Sequence, residues 1–184
     1  MNHQRVFNIP INFIRKLPKT ITPNEYLIKR FKYDNICTGF SSNKYKTYTP
    51  FYNFVKNYEK FNIINDDISE YSLPYFAKHY YTTTKKTGIM FNTSKYGYNK
   101  LIPGIIYANN ESIPLLLISF YNSHEKLKIS EMDVFKDNYN ITKPEELPNI
   151  LEYMLKLSNL SRKGVTHIQI DNNVLNQEFS PKFN

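Results

Sequence analysis

Several things are scarce in this sequence. Its 184 residues include one cysteine, no tryptophan and only five glycines. A single cysteine, Cys37, excludes an intrachain disulfide and a multi-cysteine zinc site. It fits a reducing compartment, and as a small residue in Asn35-Ile36-Cys37-Thr38-Gly39 it reads as part of the core rather than a nucleophile. The glycines stand at 39, 88, 97, 104 and 164. No spacing among them makes a dinucleotide fingerprint or a phosphate loop, which disfavours the common nucleotide-dependent enzymes. The longest apolar run, residues 113–120, is far short of a membrane-spanning helix and contains Pro114 and Ser119. The opening Met1-Asn2-His3-Gln4-Arg5 lacks the apolar core of a secretory signal. The expected location is the cytoplasm or another reducing compartment, within a host cell if the source is viral.

Lysine and aromatic residues are plentiful. The chain carries 24 Lys+Arg against 16 Asp+Glu, a net charge of +8, with 16 tyrosines and 13 phenylalanines. Heavy use of Asn, Ile, Lys, Tyr and Phe matches AT-rich codons and suggests a small replicon such as a phage, virus, plasmid or organelle. Codon bias does not explain where the charge lies. Residues 1–104 hold 16 Lys/Arg and six Asp/Glu, a net of +10, and residues 105–184 have a net of −2. Sixteen of the aromatics fall between Phe40 and Tyr98, interleaved with lysines.

Lysines release counterions on meeting phosphate, and aromatic faces stack on unpaired bases. The pattern therefore points to a small, basic, non-enzymatic nucleic-acid-binding protein, with DNA as one target. The contact residues would be Lys44, Lys46, Lys78, Lys85, Lys86, Lys95 and Lys100 with Tyr45, Tyr48 and Tyr96. An assembly component with a protein partner, or a homo-oligomer, is the alternative. A second alternative is a metal-independent ribonuclease built from His79, His124, His167 and Lys126. No histidine pair has metal-ligand spacing, so no metal is expected. No cofactor and no membrane contact are expected either.

The periodicities predict an α+β protein. Residues 6–14 alternate apolar and polar as an edge strand, with Pro10 on the polar side. Thr22-Pro23-Asn24-Glu25 reads as a capped helix start. Residues 38–48 read as a basic loop. Residues 50–61 and 67–81 read as two helices resembling a helix-turn-helix, with residues 82–100 as a basic wing. Residues 101–108 and 113–121 are apolar runs that read as a buried hairpin. A short helix is expected near residues 130–135, then a helix from Thr142 onward, a strand at 165–170 and a frayed polar tail. The whole reads as one domain, 1–184, with a possible subdivision into a basic helical part, 1–100, and a hairpin-plus-helix part, 101–184.

Overall fold

The computed structural model describes residues 9–42, 50–58, 61–65, 68–92, 98–122 and 133–181. Six α-helices and six β-strands lie in them. They are α1 (Ile11–Ile14), α2 (Pro23–Tyr33), β1 (Thr38–Ser41), α3 (Pro50–Lys56), β2 (Asn62–Ile64) and α4 (Leu73–Thr84). Then follow β3 (Gly88–Asn92), α5 (Tyr98–Asn110), β4 (Leu115–Tyr121), β5 (Asn138–Ile141), α6 (Leu147–Asn159) and β6 (Val165–Asp171). The strands form one six-stranded sheet in the order β2-β1-β3-β4-β6-β5. Every neighbouring pair is parallel.

This is a doubly wound α/β sheet, which overturns the α+β expectation. Parallel neighbours need a crossover, and a right-handed crossover lands on opposite faces when the chain steps in opposite directions along the sheet. The step from β1 out to β2 carries α3, whose Phe51, Tyr52 and Val55 join one core layer with α2 and α6. The steps from β2 back to β3 and on to β4 carry α4 and α5. Their Leu73, Ala77, Leu101 and Ile105 join the layer on the other face. The winding reverses between β1 and β3.

The predicted hairpin does not exist. Residues 98–110 are helical, with Tyr98, Leu101, Gly104, Ile105 and Ala108 turned inward. That is a helical period, but it is masked because Ile106 and Tyr107 are also large and hydrophobic, though exposed. The continuous apolar run therefore mimicked a buried strand. Gly104 is needed where α5 crosses α4, since a Cβ there would stand 2.7 Å from Pro74 Cβ and Cγ. The helix-turn-helix is overturned as well. β2 intervenes between α3 and α4, and the two helices cover opposite faces.

Smaller corrections follow the same logic. Ile11–Ile14 is a helical turn after Pro10 rather than part of an edge strand; residues 6–8 of that prediction lie outside the described residues. The start of the predicted loop 38–48 is β1, a strand too short to show a period. Asn138–Ile141, not predicted as a strand, forms the sheet's far edge. Residues 133–135 of the predicted 130–135 helix form turns, and 130–132 lie outside the described residues. The tail is packed: Leu175 and Phe179 are buried, and Ile21 and Phe179 exchange backbone hydrogen bonds of 2.9 and 3.0 Å. Cys37 is exposed rather than in the core.

Other local signals act as the chemistry dictates. Thr22 Oγ1 accepts from the Glu25 amide at 3.4 Å, and Pro23 opens α2. In α6, Leu147, Leu151, Met154 and Leu155 form the buried stripe.

Candidate active site at the carboxyl end of the sheet

Side chains alternate across a strand, so every second residue shares a face. On the α4/α5 face the amino half of the sheet is apolar, with Phe40, Met90, Leu115, Leu117 and Val165 in one cluster. The carboxyl half of that face is polar. Asn92 of β3 is in register with Ser119 of β4, Ser119 with Gln169 of β6, and Gln169 with Asn140 of β5. Four adjacent strands thus present an unbroken lateral row of amides and a hydroxyl. Asn92, Ser119 and Gln169 are each 3% exposed. Two residues nearer the amino end, His167 shares this face and is completely buried.

His167 is a neutral core group. Its Nε2 lies 2.9 Å from Ser119 Oγ. Its ring stacks on Phe135 with centroids 4.8 Å apart and meets Tyr98 at 5.9 Å. Burial without a counter-charge pushes its pKa down to about 3. Tyr98 belongs to the first turn of α5, and burial raises its phenol above the usual range.

Glu70 lies between β2 and α4, at the end of the sheet where ligands of open α/β folds bind. It is 3% exposed. Its Oε1 is buried with no hydrogen-bond partner, and its Oε2 stands 3.8 Å from Lys100 Nζ. A nearly buried carboxylate with one oxygen unmatched and a cation at more than contact distance is costly unless it serves a ligand. Lys100 and Tyr98 sit in the same turn of α5, so that turn links Glu70 to the His167 end of the row.

The residues singled out from the sequence are not brought together here. Lys44, Tyr45, Lys46, Tyr48, Lys95, Tyr96, His124 and Lys126 lie outside the described residues. Lys78 donates to the Tyr107 hydroxyl at 2.9 Å, a contact that raises its pKa. Lys85 caps α4 in the left-handed conformation, φ 61°. Lys86 donates to the Asn35 carbonyl at 2.6 Å. Lys100 faces Glu70. His79 is exposed on α4, whereas His167 is inside the sheet layer and cannot meet an RNA strand. Among the described residues no group of three or more His, Cys, Asp or Glu side chains is gathered to hold a metal. No helix among them is long and apolar enough to cross a membrane.

Glu70, Ser119, Gln169, Asn140, Asn92 and Tyr98 were missed by the sequence reading. A usable signal did exist for some of them. In Val165-Thr166-His167-Ile168-Gln169-Ile170 the later residues alternate, with His167 and Gln169 on one parity and Ile168 and Ile170 on the other. Glu70 gave no signal, because only the fold buries it.

Comparison with known proteins gives a family. The family described as thiamine pyrophosphate enzyme, N-terminal TPP binding domain, matches residues 24–142, more than half of the chain. That segment runs from α2 through β5 and includes Glu70, Asn92, Tyr98, Ser119 and Asn140. No curated protein matches the chain. The family match overturns the nucleic-acid-binding function, together with its viral, phage and non-enzymatic corollaries. It likewise displaces the assembly-component and ribonuclease alternatives. Among the described residues, several tyrosines and lysines of the basic, aromatic-rich half serve in packing. Tyr26, Tyr52 and Tyr98 are buried, and Lys32, Lys78, Lys85 and Lys100 each lie over a tyrosine ring within 4.4–5.9 Å.

Proposed function

The chain belongs to the thiamine pyrophosphate enzyme family, as its N-terminal TPP binding domain, and from that premise we propose that Glu70 is the carboxylate with which it holds the cofactor. The observation that carries this is the Oε1 atom of Glu70, buried and without a hydrogen-bond partner. The sequence reading assigned no cofactor; the family brings one, and the donor set suits it. The aminopyrimidine of thiamine has an amino group that can donate to a carboxylate oxygen, and ring nitrogens that can pair with it when one proton lies between them.

Thiamine pyrophosphate supplies, when bound, a carbon that attacks carbonyl groups and an electron sink for the charge that results. The chain's own groups have three tasks. Glu70 would accept a hydrogen bond, or hold a proton, at its Oε1. Lys100, at 3.8 Å from the other oxygen, keeps the carboxylate oriented. The apolar layer beneath, including Ile68, Leu73, Met90 and Leu101, excludes water from that side and strengthens the electrostatic contact. Glu70 also lies in the crossover from β2 back to β3, the connection that reverses the winding, and a crevice outside the strand ends at such a reversal is the usual ligand site of these sheets.

The test is a titration of the full chain with thiamine pyrophosphate and magnesium, read by saturation transfer to the pyrimidine protons. The wild type should give transfer. Glu70→Gln should weaken binding by about 10- to 100-fold, the range for a lost charge-assisted hydrogen bond. Equal binding by both chains, or no transfer in the wild type, overturns the assignment.

A further inference from the structure

The polar row contains more than a cofactor carboxylate requires. Gln169 Oε1, Asn140 Oδ1, His167 Nδ1 and the Tyr98 hydroxyl are all buried atoms with no hydrogen-bond partner. Gln169, His167 and Tyr98 are each at least 97% buried. Native proteins leave only a few such atoms per hundred residues, because each forgoes its hydration without replacement. Three of the four lie on the neighbouring strands β5 and β6, and the fourth, on α5, faces them through the His167 ring. Register places them together: Ser119, Gln169 and Asn140 are direct lateral neighbours on β4, β6 and β5, at a strand spacing of about 4.8 Å. His167 lies two residues from Gln169 on the same face and touches both Ser119 and Tyr98.

The chemistry of the unmatched atoms sets the class of ligand. Two are amide oxygens, which only accept. The imidazole is neutral and offers one nitrogen, and the phenol can donate or accept. No charged side chain belongs to the row itself, and Lys100 is turned to Glu70. An anion or a cation placed here would lose its hydration without gaining a counter-charge. Hydroxyl groups can donate to the acceptors and accept from the donors among these atoms without that cost. We propose that Ser119, Asn140, His167, Gln169 and Tyr98 form a binding site for a small, uncharged, polyhydroxylated molecule. The site goes beyond the cofactor assignment and does not use Glu70.

The full chain, labelled with 13C and 15N, is titrated with erythritol and separately with the dianion succinate. Erythritol should produce saturable shifts at the His167 imidazole and the Gln169 side-chain amide, and succinate none. Gln169→Leu should weaken erythritol binding at the His167 reporter at least about tenfold, the effect of one lost buried hydrogen-bond pair. Ser119→Ala, a smaller change, should weaken it in the same direction while leaving the fold intact. The idea is overturned if erythritol gives no saturable shift, if succinate gives an equal one, or if the row holds ordered water only. It is also overturned if both variants bind erythritol like the wild type. Thiamine pyrophosphate binding is followed in the same samples. Its failure beside intact erythritol binding would sink the cofactor assignment and leave this site standing.

Discussion

The two faces of the sheet are built on different terms. Under α2, α3 and α6 the strand side chains are mainly apolar: Ile89, Phe91, Leu116, Ile118, Phe120, Ile168 and Ile170 pack against Tyr26, Phe31, Phe51, Leu151 and Met154, and the buried hydroxyls of Thr166 and Ser41 are hydrogen-bonded to the Met154 carbonyl and Tyr52. Aromatic rings dominate there, with Phe51, Phe91 and Phe120 in mutual contact at 4.8–6.1 Å between centroids. The ionic contact in this layer is paired, although Asn24 Oδ1 and the Tyr26 hydroxyl on α2 are buried without a hydrogen-bond partner. Arg30 donates to Glu152 Oε2 through Nε at 2.9 Å and Nη2 at 2.7 Å, and Lys156 covers Oε1 at 3.2 Å. Under α4 and α5 the apolar layer stops halfway along the strands and gives way to the partly unmatched row and to Glu70. One face is arranged for stability. The other forgoes stability at its carboxyl end, as a binding surface must.

The contrast breaks most visibly at Glu152. The carboxylate is 2% exposed and Arg30 is 4% exposed. Glu152→Ala leaves the guanidinium buried with Asp34 at 2.7 Å as its remaining acidic contact. The expected loss is about 3–5 kcal/mol, measured by urea unfolding. Ile170→Ala on the same face should cost about 2–5 kcal/mol through its cavity. A loss below 1 kcal/mol at both positions would contradict the view that this face carries the stability.

How far the sequence foretells these faces depends on how local each feature is. The start of α2 was legible because Thr22, Pro23 and Glu25 act within one turn. The stripe of α6 was legible because its period repeats over 13 residues. The sheet was not legible. β1 and β5 have four residues each and β2 has three, too few for a period, and parallel order is fixed by crossovers rather than by adjacent sequence. α5 was misread because exposed Ile106 and Tyr107 filled the gaps in its buried stripe. The site suffered most. Glu70, in Asp66-Asp67-Ile68-Ser69-Glu70, is one of several acids, and nothing in those five residues says which is enclosed. The lysine count drew the functional reading toward phosphate, while placement in the fold turned Lys78, Lys86 and Lys100 to partners within the chain.

A smaller effect belongs to the face of the row. His167 titrates near pH 6.5 when exposed and near 3 in the fold. Between those values the unfolded chain holds a proton that the folded chain does not. Stability is therefore complete above about pH 6.5 and falls as the pH drops toward 3, by about 1.4 kcal/mol per unit within the window. His167→Phe removes the titration and should flatten the slope of unfolding free energy between pH 6 and 4 relative to wild type, about that much per unit. Parallel slopes in the two proteins would mean that the imidazole is already solvated.

The smallest effect is expected where the two faces meet on a single strand. Gln169 and Ile170 are adjacent on β6 and point to opposite sides. Gln169→Leu removes an amide whose oxygen is unmatched and puts an apolar group of similar size in its place. Exchanging a half-satisfied buried polar group for a hydrocarbon is close to neutral, because the desolvation cost disappears with the hydrogen bond. Gln169→Leu should change the unfolding free energy from urea titration by no more than about 1 kcal/mol in either direction, against about 2–5 kcal/mol for Ile170→Ala next to it. A residue so nearly dispensable to the fold has its polar side chain for another reason, and ligand binding at the row is the property that its loss should remove. If Gln169→Leu instead unfolds the protein as Ile170→Ala does, its amide belongs to the structural framework and the difference between the faces ends at β4.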